Sequence, residues 1–139
     1  NQHPRERRPR ILFATLPGEP HELGLLGAAL HAHEAGAPVL YLGSELPAAE
    51  LVRVAERLQP AAIAVSSIDP GQAPLALSEL QVLDATLDPA IPVWVGGANA
   101  RYLDEALGST RVHAVTDPQA LGRLLQRLGV TGRGEPLAA

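Results

Sequence analysis

The stretch Ile11-Leu12-Phe13-Ala14-Thr15-Leu16-Pro17-Gly18-Glu19-Pro20-His21-Glu22-Leu23-Gly24 carries an apolar run into a polar loop and then into a helical pattern. Its apolar part does not alternate, which is the mark of a strand buried on both faces. Runs of the same kind recur at Val39–Leu42, Ala62–Val65, Val93–Val95 and Val112–Val115. Helical patterns fill the gaps. The first spans about Glu22 to Ala35 and is closed by Gly36 and Pro38. The second has Pro47 in its first turn and Leu51, Val54, Ala55 and Leu58 along one face. The third, near Leu75–Leu87, lines up Ala76, Leu80, Leu83 and Leu87, and a short fourth runs from about Asn99 to Leu107. The last has Asp117 as N-cap, Pro118 next, Leu121, Leu124, Leu125 and Leu128 inward, and Gly129 past its end.

Strands alternating with helices predict an α/β chain with an open, five-stranded parallel sheet covered on both faces. Right-handed crossovers then favour a flavodoxin-like Rossmannoid three-layer sandwich with strand order 2-1-3-4-5. In that order strands one, three and four are neighbours and end along one edge. The loop bearing His21, the end of strand three at Ser66 and the end of strand four at Gly96-Gly97 therefore converge at the switch point, where such folds bind ligands.

Length and composition fit one globular domain: 139 residues, 46% hydrophobic and 19% charged. The expected divisions are a basic arm or linker over residues 1–9, a folded domain over 10–130 and a flexible tail over 131–139. No apolar run approaches the roughly 18 residues of a membrane span and no signal-peptide pattern opens the chain, so a cytoplasmic location without a membrane partner is expected. The absence of cysteine excludes disulfides, iron–sulfur clusters and a thiol nucleophile. A net charge of −4 argues against nucleic acid as a direct partner. Arg5, Arg7, Arg8 and Arg10 crowd the first ten residues and read as a solvated linker or, alternatively, a phosphate-contacting segment. A chain that begins at Asn1 and contains no methionine is expected to be a piece of a longer protein.

His21 sits at a helix N-terminus, where the macrodipole disfavours a cationic ring, and a metal ligand must be neutral. Glu19 stands two residues before it and could accept a hydrogen bond from the other ring nitrogen, fixing the tautomer. The plainer alternative is a solvated residue in a first helical turn. Ser66 and Ser67 could bond a buried heterocycle or merely cap the strand end. Gly24 suits close backbone packing, and Gly96-Gly97 suits either a bulky group lying on backbone or an ordinary turn. His31 and His33 are two apart and cannot form an i, i+4 zinc pair, while His3 and His113 read as surface or structural residues. A single histidine offered to a metal makes sense if a macrocycle already holds that metal, as a corrin holds cobalt by four equatorial nitrogens.

The spacing is specific: 41 residues (25 to 65) separate Gly24 from Ser66-Ser67-Ile68, and 27 (69 to 95) separate Ile68 from Gly96-Gly97. In order and gaps this set resembles the fingerprint of cobalamin-binding domains, Asp/Glu-x-His-x-x-Gly, Ser-x-Leu, Gly-Gly. The resemblance implies cobalamin bound base-off, with His21 as the lower axial cobalt ligand and Glu19 as its hydrogen-bond partner. It implies a slot for the nucleotide tail lined by Ser66, Ile68, Gly96 and Gly97, with Ser67 among the cofactor-binding residues. Pro20, Leu23 and Gly24 belong to the cofactor loop. Adenosylcobalamin is the first expectation, with methylcobalamin or hydroxocobalamin as others.

The wording of residues 12–24, and of Tyr41-Leu42-Gly43-Ser44-Glu45-Leu46-Pro47, looks like the C-terminal domains of MerR-type transcriptional regulators. Those include adenosylcobalamin-dependent light sensors. That likeness implies a non-enzymatic sensor domain whose cofactor state, and with it light, is coupled to homo-oligomer formation. It also implies DNA contact only through a winged-helix region outside these residues, and a four-helix bundle over the cofactor's upper face. Two departures from the family's enzymes point the same way. Glu19 stands where they usually carry Asp, and Asp69-Pro70-Gly71-Gln72 replaces the second hydroxyl of many methyltransferases. The rival readings are a corrinoid-carrying module of a methyltransferase or mutase, and a structural domain without ligand or with another tetrapyrrole. A phosphoreceiver is excluded because strand three ends in Ser66 and the chain has no lysine. A nucleotide-binding Rossmann domain is excluded because no Gly-x-Gly-x-x-Gly follows the first strand.

Overall fold

In the computed structural model the described residues are 10–130; the expected arm with His3, Arg5, Arg7 and Arg8, and the expected tail, lie outside them. Five strands, β1 (Ile11–Thr15), β2 (Val39–Gly43), β3 (Ala62–Ser66), β4 (Val93–Gly96) and β5 (Val112–Val115), alternate with helices α1 (Leu23–Glu34), α2 (Ala48–Leu58), α3 (Ala73–Thr86), α4 (Ala100–Leu107) and α5 (Pro118–Arg127). All strand pairs are parallel and the order is β2-β1-β3-β4-β5, as the alternation predicted. The register sets Thr15 beside Ser66 and Ser66 beside Gly96, so the three strand ends are level.

Helix boundaries follow local chemistry. Asp117 caps α5 by accepting from the Ala120 amide at 2.7 Å. α3 starts two residues earlier than its apolar stripe suggested, because a 3₁₀ turn over Pro70–Gln72 leads into it, with Asp69 accepting from the Gly71 amide at 2.9 Å.

Alternation along the strands sorts the core into two layers. Leu12, Ala14, Ile63, Val65, Val93 and Val95 pack under α2, α3 and α4, against Leu51, Leu80, Leu83 and Leu103. Ile11, Phe13, Ala62, Ala64 and Trp94 face α1 and α5, against Leu25, Ala29, Leu121 and Leu125. Each such leucine contributes about 1.5–3 kcal/mol by leaving water. At the N-terminal edge of the sheet, Arg111 pairs with Asp84 at 3.1 Å and donates to the carbonyls of Leu87, Asp88 and Ile91.

Candidate functional site

The loop after β1 is pinned before it reaches His21. The Thr15 hydroxyl donates to the Glu19 carbonyl at 2.6 Å and accepts from the Glu45 amide at 2.8 Å. At the start of α1, Glu22 accepts from the Tyr41 hydroxyl at 2.7 Å; burial, then this bond and the Glu22 charge, push the phenol up to about 12.

Glu19 is 2% exposed, and each of its carboxylate oxygens is committed. Oε2 lies 2.7 Å from Nδ1 of His21 and also accepts from the His21 amide at 3.4 Å. Oε1 accepts from the amides of Ile68 at 2.7 Å and Asp69 at 3.2 Å. Burial alone raises this carboxyl, but the Ile68 amide, the His21 ring and the other two amide bonds together hold it below its ordinary value. Ionised, it can only accept, so Nδ1 of His21 is the donor in this contact, and the uncharged tautomer that makes it has its lone pair on Nε2. The His21 side chain is 60% exposed. The result is an imidazole held from behind and presented outward.

Between α1 and the N-terminal half of α5 lies a groove of about 400 Å³. Phe13, Ala64, Ser66, Trp94, Gly96 and Val115 form its floor; Gly24, Gly27 and His31 line the α1 side, and Asp117, Pro118 and Leu121 the α5 side. Small residues at Ala64, Ser66 and Gly96 make the floor deep. The Ser66 hydroxyl is buried there without a hydrogen-bond partner.

Of the residues singled out by the sequence, Gly24, Ser66, Ile68, Gly96 and Gly97 line this groove; Glu19 and His21 are not in its lining and are tied to it through the Ile68 amide that Glu19 accepts. Pro20 on the loop and Leu23 at the first position of α1 are exposed and are not part of the lining. Two expectations are corrected. Gly24 does not serve close packing: a Cβ there would meet nothing within 4 Å, so its bare backbone only clears the groove. Ser67 turns away from the groove, and its hydroxyl accepts from Asn99 Nδ2 at 2.9 Å. Gly97 is needed by the protein itself. Its φ is +95°, and a Cβ would run into the Ser67 carbonyl.

Sequence reading missed Ala64, Trp94 and Asn99. The first two were within reach, since they stand two residues before Ser66 and Gly96 and strand periodicity aims them the same way. Among the described residues no group of three or more His, Cys, Asp or Glu could hold a bare ion. Nor is any described helix long and apolar enough to cross a membrane.

The model of the family described as "B12 binding domain" matches residues 9–120. The chain is 35% identical over 113 residues to the HTH-type transcriptional repressor CarH of Myxococcus xanthus, covering 81% of this chain and 38% of the repressor. Among solved structures, a cobalamin-binding protein from Desulfitobacterium hafniense DCB-2 superposes with a TM-score of 0.72 at 21% identity, over 88% of this chain and 60% of that one. The Methanosarcina barkeri monomethylamine corrinoid protein does so with a TM-score of 0.72 at 15% identity, over 88% and 61%. These two likenesses are of fold. The chain spans less than two thirds of the length of each of the three.

Proposed function

We propose that this chain, which belongs to the B12-binding domain family, is the cobalamin-sensing part of a transcriptional regulator, with His21 as the lower axial ligand of cobalt. The observation that carries this reading is the pairing of a carboxylate-fixed imidazole with an orphaned hydroxyl in the adjoining groove. The residues fit base-off cobalamin. Nε2 of His21 is the free donor, the Ser66 hydroxyl awaits a heterocyclic acceptor, and the floor of Phe13, Ala64 and Trp94 is apolar enough for an aromatic base. When bound, adenosylcobalamin supplies a cobalt–carbon bond that light can break, which makes it the preferred form.

A regulatory rather than catalytic role is supported by the 35% identity to a repressor and by the surroundings of Glu19. The oxygen of Glu19 that faces away from His21 is held by two backbone amides, and an amide cannot pass a proton onward. The carboxylate therefore orients the ring without relaying its proton. DNA contact, and any oligomer that responds to the cofactor, involve parts of the protein outside these residues.

An absorbance titration with adenosylcobalamin and hydroxocobalamin tests the site. The wild-type chain is expected to give a histidine-ligated spectrum, and His21→Ala to bind at least about tenfold more weakly. Failure of both cobalamins to bind, or an unchanged spectrum in His21→Ala, defeats the axial-ligand reading. A gel-shift assay on the full-length protein, with and without adenosylcobalamin and light, tests the regulatory half.

A further inference from the structure

Asn99 stands at the N-cap of α4, a position where asparagine commonly accepts a hydrogen bond from the helix, yet its side chain makes no capping bond. Its amide turns back toward β3 instead. Nδ2 donates to the Ser67 hydroxyl at 2.9 Å and to the Asp69 carbonyl at 2.8 Å. Its backbone amide donates to the Ser67 carbonyl at 3.0 Å. The side chain is 7% exposed and does not line the groove. Asn99 thus grips both ends of the tripeptide Ser67-Ile68-Asp69. From that tripeptide come the two amides that hold Oε1 of Glu19, whose other oxygen holds Nδ1 of His21.

We propose that Asn99 is a positioning residue for the metal-binding imidazole: by bridging Ser67 and Asp69 it aims two amides at Glu19, and through Glu19 it sets the tautomer and direction of the His21 ring. The proposal rests on the reading of His21 as cobalt ligand, and it names the third link behind that ligand. The physical argument is one of geometry. A carboxylate accepting from two amides and a ring nitrogen is fixed only if those amides are fixed. Asn99 Nδ2 is the one side-chain donor recorded on the tripeptide among the described residues.

The test compares wild type, Asn99→Asp and Asn99→Ala. Asp has nearly the same shape and is an equally good N-cap, so α4 is retained while both donors are lost. In the protein without cobalamin, ¹⁵N NMR of the His21 ring reads the tautomer directly. Wild type is expected to show protonated Nδ1 and bare Nε2, and both variants to show a mixture. In the protein loaded with hydroxocobalamin and reduced to cob(II)alamin, EPR reads nitrogen coupling from the axial imidazole. That coupling is expected to weaken in the variants, with hydroxocobalamin affinity lower by about tenfold, the lower end of what a supporting residue costs. Wild-type ring shifts retained in both variants, with circular dichroism showing them folded, overturn the proposal. Should Asn99→Asp and Asn99→Ala not fold, Ser67→Ala removes one of the two bridge points and is read in the same way. If wild type binds no cobalamin while the variants still scramble the tautomer, the functional reading fails and the positioning role stands.

Discussion

The two faces of the sheet are made from the same strands and treated differently. Under α2, α3 and α4 the centre of the layer is filled: Leu51, Leu80, Leu83 and Leu103 meet Leu12, Ile63, Val65 and Val95 with all of them buried, and the hollow on that side lies away from the strand C-termini, between the last turns of α2 and α3. Under α1 and α5 the layer is closed only at one end. Toward the strand C-termini the side chains shrink to Ala64, Ser66 and Gly96, and a groove opens over Trp94 and Phe13. The difference separates two kinds of small residue. On the closed face, small size lets helices approach. On the open face it leaves volume that the protein does not fill.

The sharpest way to break this comparison is to damage the closed face. Leu83→Ala is expected to lower unfolding free energy by about 2–5 kcal/mol in denaturant titrations, with cobalamin affinity of the folded fraction unchanged. If that affinity fell as well, the two faces would not be independent. Gly97→Ala comes next, at roughly 2–4 kcal/mol, because it combines a left-handed φ with a clash at the Ser67 carbonyl. It should also disturb the loop that feeds Glu19.

Glu19→Gln sharpens the comparison from the side of the site. With the amide oxygen kept by Ile68 and Asp69, the amide nitrogen faces Nδ1 of His21 and donates to it. That moves the ring proton to Nε2 and removes the metal-binding lone pair. Hydroxocobalamin affinity is expected to fall by about 10- to 100-fold while the fold persists. The variant also has a pH signature. The carboxyl of Glu19 is held below its ordinary 4.5, so its contribution is present above that value and is lost as pH falls through the lower folded value. Acid titration should therefore show a steeper stability loss for wild type than for Glu19→Gln in that acidic window. Equal slopes would mean that the amides do not bind the charged form.

Ser66→Ala is the smallest change. Removing a hydroxyl that has no partner should leave stability within about 0.5 kcal/mol or raise it slightly. Cobalamin binding should weaken by about fivefold, the worth of one hydrogen bond. A stability loss of several kcal/mol would show that the hydroxyl serves the fold.

Much of this was legible in the residues. Strand order, the level strand ends and the Glu19–His21 pair follow from periodicity and spacing, which report on backbone geometry. What was not legible depends on side-chain direction within loops. Ser67 and Ser66 are adjacent and chemically identical, yet one turns to Asn99 and the other to the groove. Gly24 and Gly97 look alike in sequence; only the space around each tells that one serves the cavity and the other the chain. Asn99 read as the start of a helix because nothing local announces that its amide points back across the edge of the sheet.

The carboxylate of Glu19 holds two peptide protons, those of Ile68 and Asp69, as well as the ring. Those protons are a clock for the histidine. Their replacement by deuterium is slow while Glu19 is seated and speeds up when the carboxylate withdraws. An isotope-exchange trace at two peptide bonds well away in sequence thus reports, without spectroscopy of any cofactor, whether the imidazole stands ready.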